Sequence, residues 1–160
     1  MLIEKKKLNL SKKEAKLRAA NYCAYQERSQ KEVRNKLYEY GLYSDEVEDV
    51  LTDLIMENFI NEERFALSYA GGKFRIKRWG RNKIKQGLKQ HDVSEYCIKK
   101  GLKEIDADDY IATLCDLIER KAESLSESNV FKKQEKVSRH LIYKGYEPDL
   151  VWTHVKDLVK

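Results

Sequence analysis

One arrangement of apolar positions occurs three times along this chain. Each copy has an apolar residue at a first position and again 4, 14 and 18 residues further on, with Gly or Asp 8 residues after the first. The copies begin at Val33, Ile84 and Val137, so roughly 50 residues separate one from the next. This periodicity predicts one supersecondary motif used three times. The full sets are Val33, Leu37, Gly41, Val47 and Leu51; Ile84, Leu88, Asp92, Ile98 and Leu102; and Val137, Leu141, Gly145, Val151 and Val155.

The residues around these positions predict helices and the turns between them. Ser11 with Glu14, and Ser29 with Glu32, have the Ser-x-x-Glu spacing of a capping box, which marks a helix start. Further N-caps are expected at Asn61 and Ser94, and a longer helix is expected from Asp106 onward. No stretch alternates between apolar and polar residues for long enough to predict a strand.

Glycine and aspartate mark the predicted turns. Gly41 and Gly145 suit the left-handed conformation that follows a helix C-terminus, and Asp92 tolerates that conformation better than most residues. Gly80 is expected to separate two helices of the second copy. The chain is therefore divided into a basic N-terminal arm (residues 1–10) and three three-helix repeats (residues 11–60, 61–105 and 106–160).

Composition supports an all-α protein and places its positive charge unevenly. Charged residues make up 37% of the chain, apolar residues 41%, and there is one proline. The net charge is only +5, yet the segment 73–90 holds eight cations and no acid. Such a segment favours a polyanionic partner, nucleic acid first. The candidate binding residues are Lys73, Arg75, Lys77, Arg78, Arg81, Lys83, Lys85 and Lys89.

Two aromatic residues, Phe74 and Trp79, lie among these cations. Lysine and arginine can neutralise phosphates, and an exposed ring can stack on a base. The alternative is a solvated charged face with Trp79 in the core, and the sequence leaves both interpretations of Trp79 open. The N-terminal lysines are a second, weaker basic run.

The sequence gives no support for catalysis, for a metal or for a cofactor. Its three cysteines are widely separated, and no histidine lies at metal-ligand spacing from any of them. No nucleophile motif or phosphate-binding glycine loop occurs. Because neither a secretory signal nor a membrane span is recognisable, we expect reduced thiols and a cytoplasmic protein.

Two other functions fit a chain of helices and turns. A helix-turn-helix protein would bind duplex DNA by itself, but the predicted third helices carry acids such as Asp45, Glu46 and Glu95, which would repel phosphates. A helical adaptor would use its positive charge for solubility alone.

Three parts of the chain, namely residues 22–33, residues 59–66, and Gly80 with Ile84 and Leu88, resemble the sequence signature of a known family, the RecX regulatory proteins. The stretch 22–33 resembles the family's first-repeat signature of a tyrosine, an Arg-Ser pair and a following Glu-Leu-type pair. The stretch 59–66 resembles its link into the second repeat, where Arg64, Phe65 and Ala66 match. Gly80 with Ile84 and Leu88 resembles the second-repeat pattern. Asn61, Gly87 and Asp92 depart from common family residues, which affects local helix details.

The resemblance spans nearly the whole chain, from about Ser11 onward, and implies both architecture and partner. It implies three tandem three-helix repeats in an elongated, curved array, most simply as a monomer. It also implies binding to the filament of the RecA recombinase on single-stranded DNA, with duplex DNA as a further ligand. The expected effect is inhibition of RecA ATP hydrolysis, filament growth and strand exchange, without any enzymatic activity.

Overall fold

The computed structural model describes residues 8–160, and in that range it contains nine α-helices and no strand. The predicted all-α class is confirmed. Residues 1–7 of the predicted basic arm lie outside the described residues. The helices are α1 (Lys12–Tyr25), α2 (Gln30–Glu39), α3 (Ser44–Met56), α4 (Glu62–Lys77), α5 (Arg81–Gln90), α6 (Glu95–Lys103), α7 (Ala107–Ser124), α8 (Val130–Tyr143) and α9 (Pro148–Leu158).

The helices begin where the capping residues predict. The Ser11 hydroxyl accepts a hydrogen bond from the Glu14 amide at 3.2 Å. Ser29 and Glu32 form a complete capping box, in which each side chain accepts from the other residue's amide. The side chains of Asn61, Ser94 and Asp106 each accept from the amide three residues further on and so cap α4, α6 and α7. These side chains satisfy backbone donors that have no partner within their helices.

One turn geometry recurs at the same place in all three copies of the repeat. Gly41, Asp92 and Gly145 have φ of 94°, 57° and 107°. In each copy the next amide donates back across the turn, as Tyr146 does to the Leu141 carbonyl at 3.1 Å. This is the 6→1 bond of a Schellman motif. The residue that donates is buried in every copy, so each turn also adds an apolar side chain to the core.

The nine helices form three sequential groups of three, named here unit 1 (α1–α3), unit 2 (α4–α6) and unit 3 (α7–α9). Unit 1 has its own apolar core, whereas units 2 and 3 share a single core. In the part of the chain that the structure describes, hydrogen bonds and ion pairs link unit 1 to unit 2 and unit 2 to unit 3, and none links unit 1 to unit 3. The units therefore follow one another in a row.

The surface area agrees with an extended arrangement of the units. The accessible surface is 10561 Å². A compact monomer of the same mass would expose about 8,300 Å². A row of units leaves more of each unit exposed than a sphere would, and this contributes to the excess.

Units 2 and 3 meet where two backbones approach closely. The Gly80 amide donates to the Lys144 carbonyl at 3.0 Å, and the Asn82 amide donates to the Gly145 carbonyl at 2.9 Å. The rings of Tyr110 and Tyr146 lie beside this contact, are fully buried, and have centroids 5.1 Å apart. Both rings belong to unit 3, and the Tyr110 ring also packs against Phe74 of α4, with centroids 5.8 Å apart. Main-chain hydrogen bonds and this aromatic contact together fix unit 3 on unit 2.

Units 1 and 2 are joined mainly by polar side chains. The Arg64 guanidinium contacts the Glu27 carboxylate at 2.5 Å and donates to the Asn58 carbonyl at 3.0 Å. The His91 ring lies 3.1 Å from the Ser29 hydroxyl and packs edge-on against Phe65. Among these junction residues, Glu27, Ser29 and Arg64 lie in the stretches that resemble the family signature.

Gly80→Ala should destabilise the protein by about 2–4 kcal/mol because it overpacks the junction of units 2 and 3. A Cβ atom at Gly80 would lie 2.2 Å from the Gly145 carbonyl carbon, and neither backbone can move without breaking the main-chain bonds. Urea unfolding followed by circular dichroism measures the change. Gly72→Ala is the matched control: a Cβ there meets nothing within 4 Å, so this helical substitution should stabilise by about 1 kcal/mol. Equal effects of the two substitutions would contradict the close approach.

Stability should fall in alkaline solution. Burial raises the pKa of Tyr110 well above the ordinary 10.0, and so, secondarily, does the hydrogen bond that the Tyr110 hydroxyl donates to the Glu147 carboxylate. Burial also raises the pKa of Tyr146, and that of Cys23 to about 11. The folded protein keeps these protons at a pH where the unfolded chain loses them. The contribution of these groups to stability is therefore fully present at neutral pH. It decreases by about 1.4 kcal/mol per pH unit for each group once the pH exceeds the pKa of that group in the unfolded chain, about 9 for Cys23 and about 10 for the tyrosines.

Urea unfolding between pH 8 and pH 11 tests this dependence. Tyr110→Phe should lower stability at pH 8, because a buried hydrogen bond is lost, and should make the fall above pH 10 shallower. Tyr25→Phe, at a ring that is 84% exposed, should keep the slope of the parent protein. The same alkaline slope in all three proteins would show that Tyr110 does not hold its proton more tightly when folded.

Candidate functional site

The eight candidate cations lie at the end of α4 and along α5, on both sides of the break at Gly80. Lys73, Arg75 and Lys77 are on the last turns of α4, and Arg78 follows in the left-handed conformation. The remaining four, Arg81, Lys83, Lys85 and Lys89, are on α5. The eight side chains have different neighbours in the structure. A cation that is held by an acidic group of another unit is called structural here, and one without an acidic partner is called available.

Two arginines are used to hold unit 3. Arg78 contacts the Asp116 carboxylate of α7 at 2.8 Å, and Arg81 contacts the Glu147 carboxylate at 2.8 Å. The Arg81 guanidinium also lies 3.8 Å from the centroid of the buried Tyr110 ring. The Arg78 ion pair is the main reason why the pKa of Asp116 is lowered. Both arginines belong to the junction of units 2 and 3 described above.

Two lysines are placed against Trp79. The Lys73 and Lys83 ammonium groups lie 4.8 Å and 4.6 Å from the centroid of the Trp79 ring. The ring itself is half-buried and packs against the edge of the shared core, whereas Phe74 is buried within that core. Trp79 therefore contacts the core and the two cations at once, and Phe74 is not available to a ligand.

The other four cations have at most one distant acidic neighbour among the described residues. Lys89 is exposed and lies 3.9 Å from Glu95. Among residues 8–160, no carboxylate comes within 4.0 Å of the charged groups of Arg75, Lys77 or Lys85. Unpaired cations retain their full attraction for phosphate, so these three are the candidates that the fold leaves free.

Five of the candidate cations line three different surface grooves. Lys73 and Lys77 line a groove of about 400 Å³ between units 1 and 2, whose other lining residues include Glu27 and Glu32. Arg75 and Arg78 border a shallower groove beside α7, which contains Asp109. Lys83 lines a third groove, between α5 and α8, that has no carboxylate among its lining residues. The third groove is the most favourable for an anion.

Tyr143 is a residue of this third groove that sequence reasoning missed. Its ring is 81% exposed, and the Lys83 ammonium lies 5.5 Å from the ring centroid. The two residues are far apart in sequence and belong to different units, so the segment 73–90 alone gives no reason to connect them. The one signal available was an aromatic residue on α8 that falls outside the apolar stripe of Val137 and Leu141.

The described residues contain neither a metal-binding cluster nor a membrane-spanning helix. Across residues 8–160, no group of three or more His, Cys, Asp or Glu side chains could hold a metal ion. No helix in the same range is long and apolar enough to cross a membrane. Cys23 and Cys97 are buried free thiols, and Cys115 lies 3.6 Å from the His154 ring.

Comparison with known families identifies the three units. Models of the first, second and third three-helix domains of RecX match residues 15–54, 61–102 and 108–155, in that order along the chain. The chain belongs to the RecX family. The resemblance of the sequence to the RecX family is thereby confirmed, and so is the predicted tandem arrangement of three-helix units.

Individual members of the RecX family match over most of the chain. The regulatory protein RecX of Clostridium perfringens (strain 13 / Type A) is 36% identical over 124 residues, which is 76% of this chain and 58% of that protein. RecX of Bacillus mycoides (strain KBAB4) is 25% identical over 144 residues, or 90% of this chain and 53% of that protein. The chain thus spans a little over half the length of these curated relatives.

Solved RecX structures have the same fold. The crystal structure of RecX from Lactobacillus salivarius superposes with a TM-score of 0.82 at 25% identity, covering 92% of this chain and 96% of that one. A second structure, of a regulatory protein RecX, gives a TM-score of 0.82 at 23% identity, covering 91% of this chain and 71% of that one.

The division between structural and available cations predicts opposite outcomes for two neutralising substitutions. Arg81→Gln should destabilise the protein by about 1–2 kcal/mol, because it removes both the Glu147 ion pair and the cation–π contact with Tyr110. Lys85→Gln should change the free energy of unfolding by less than about 0.5 kcal/mol. Urea unfolding of the two variants measures this. A loss of stability in Lys85→Gln as large as that in Arg81→Gln would overturn the assignment.

Proposed function

We propose that this protein modulates the RecA recombinase filament on single-stranded DNA, and that it lowers RecA ATP hydrolysis, filament growth and strand exchange. The observation that carries the proposal is the set of three RecX three-helix units in tandem, of which the middle one holds an acid-free basic segment. The proposed action is binding without catalysis, as a monomer in the bacterial cytoplasm.

A row of units suits a repetitive partner. A filament presents the same surface again and again, so linked units can contact successive subunits or successive stretches of DNA. Once one unit is bound, the next binds at a high effective concentration, and weak single contacts add up to firm attachment. The direct links between neighbouring units keep such contacts in a fixed geometry, which reduces the entropy lost on binding.

The charge of unit 2 suits a filament that contains DNA. Arg75, Lys77 and Lys85 have no acidic partner among the described residues, and Lys83 lines a groove without carboxylates. Each phosphate that such a cation neutralises releases a counterion, which favours binding at low salt. We assign the available cations of unit 2 to the DNA or to an acidic surface of RecA. Arg78 and Arg81 are assigned to the fold instead.

The test is RecA ATP hydrolysis on single-stranded DNA with increasing amounts of the full protein added. We expect hydrolysis to decrease and mean filament length, seen by electron microscopy, to shorten. The double substitution Lys77→Glu and Lys85→Glu should weaken the inhibition at least tenfold, because it reverses two unpaired charges and leaves the unit junctions intact.

Lys99→Glu with Lys103→Glu is the matched control, since it makes the same charge change on exposed positions of α6 in the same unit. This control should inhibit like the parent protein. Hydrolysis and filament length that do not respond to the parent protein would refute the proposed function. Equal losses in both double variants would refute the assignment to Lys77 and Lys85.

A further inference from the structure

Five side chains form a continuous line in which aromatic rings alternate with ammonium groups. Its members are Tyr69 and Lys73 on α4, Trp79 in the break, Lys83 on α5 and Tyr143 on α8. The successive distances from ammonium nitrogen to ring centroid are 5.4, 4.8, 4.6 and 5.5 Å. We call this line the aromatic–lysine row. It crosses from unit 2 to unit 3, and each of its lysines lies between two rings.

The two ends of the row differ in charge and exposure. The Tyr69 end is half-buried and borders the groove that also contains Glu27 and Glu32, whose carboxylates repel phosphate. The Tyr143 end is open: the ring is 81% exposed and belongs to the groove without carboxylates. An anionic ligand therefore approaches the row from the Tyr143 end.

We propose that the open end of the row binds single-stranded nucleic acid, with a base stacked on Tyr143 and the adjoining phosphate neutralised by Lys83. This inference rests on the proposed function only in taking a polyanion as the ligand of unit 2. It adds the residue that contacts a base, direct binding of single strands without RecA, and a contribution from unit 3.

The geometry favours a single strand over a duplex. An aromatic side chain can stack only on a base whose face is free, and duplex bases are already stacked on one another. The groove also presents the exposed amide side chains of Asn82 and Gln86, one helical turn apart on either side of Lys83. Amides both donate and accept hydrogen bonds, so they can meet the edges of unpaired bases.

A purely structural role does not explain Tyr143. Trp79 packs on the shared core, but Tyr143 has most of its surface in water and contributes little apolar burial to the fold. A single exposed cation–π contact contributes only weakly to the stability of a fold. A large ring in water beside a cation, in a groove free of acids, is instead the arrangement that stacks bases in single-strand binding proteins.

The experiment measures binding of the full protein, without RecA, to a fluorescently labelled oligothymidine by anisotropy across a range of salt concentrations. Tyr143→Ala should weaken binding about tenfold and leave the salt dependence unchanged, because stacking releases no counterion. Tyr143→Phe keeps the ring and should bind like the parent protein. Lys83→Gln should weaken binding and reduce the salt slope by about 0.7, the value for one phosphate contact on a single strand.

Phe131→Ala is the matched control, because Phe131 is also on α8 and also 81% exposed but lies outside the row. It should bind oligothymidine like the parent protein, and Tyr143→Ala should bind a duplex of equal length like the parent protein. The inference is overturned if the parent protein does not bind oligothymidine, if Tyr143→Ala binds it normally, or if Phe131→Ala loses as much affinity. RecA hydrolysis is a separate measurement, so this inference can fail while the proposed function stands, and the reverse.

Discussion

The contact between the backbone at Gly80 and the turn at Gly145 is the constraint on which the arrangement of units 2 and 3 depends. It allows two main-chain hydrogen bonds between units and lets Phe74 of unit 2 pack against Tyr110 of unit 3 in the shared core. It also places Lys83, since a Cβ atom at Gly145 would lie 2.4 Å from the Lys83 Cβ. The position of Lys83 beside Tyr143 is therefore a consequence of how the units pack.

Unit 1 is attached by a different kind of interaction. Its core is closed within the unit, and its link to unit 2 consists of side chains such as Arg64, Glu27 and His91. Apolar packing depends on shape and area, whereas charged hydrogen bonds depend on distance and direction. Units 2 and 3 are thus one body built on a common core, to which unit 1 is fixed in orientation by a few polar contacts.

Local signals in the sequence are sufficient to predict the helices and turns of the fold, because caps and turns depend on residues that are close together in the chain. Ser29, Asn61 and Gly145 each behave as their chemistry predicts. The candidate site was less predictable, since its cations are distinguished by partners far away in sequence. Nothing near Arg81 indicates that Glu147 faces it, and nothing near Lys83 indicates Tyr143. The density of positive charge in the sequence identifies the candidate region at residues 73–90. Only the tertiary packing separates structural from available cations within that region.

The chemistry of the two basic side chains accounts for part of this separation, with Arg75 as the exception among the arginines of unit 2. Arginine presents a planar guanidinium that holds two or more partners in fixed directions, and Arg64, Arg78 and Arg81 are each placed at a junction between units. Lysine carries a compact charge on a flexible stem and keeps its freedom at a surface. Lys77 and Lys85 have no acidic partner in the described chain. Arg78 and Arg81 orient the units, whereas Arg75, Lys77 and Lys85 are left without an acidic partner among the described residues. In a basic repeat of this kind, the place of each cation in the fold therefore says more about its use than the net charge does.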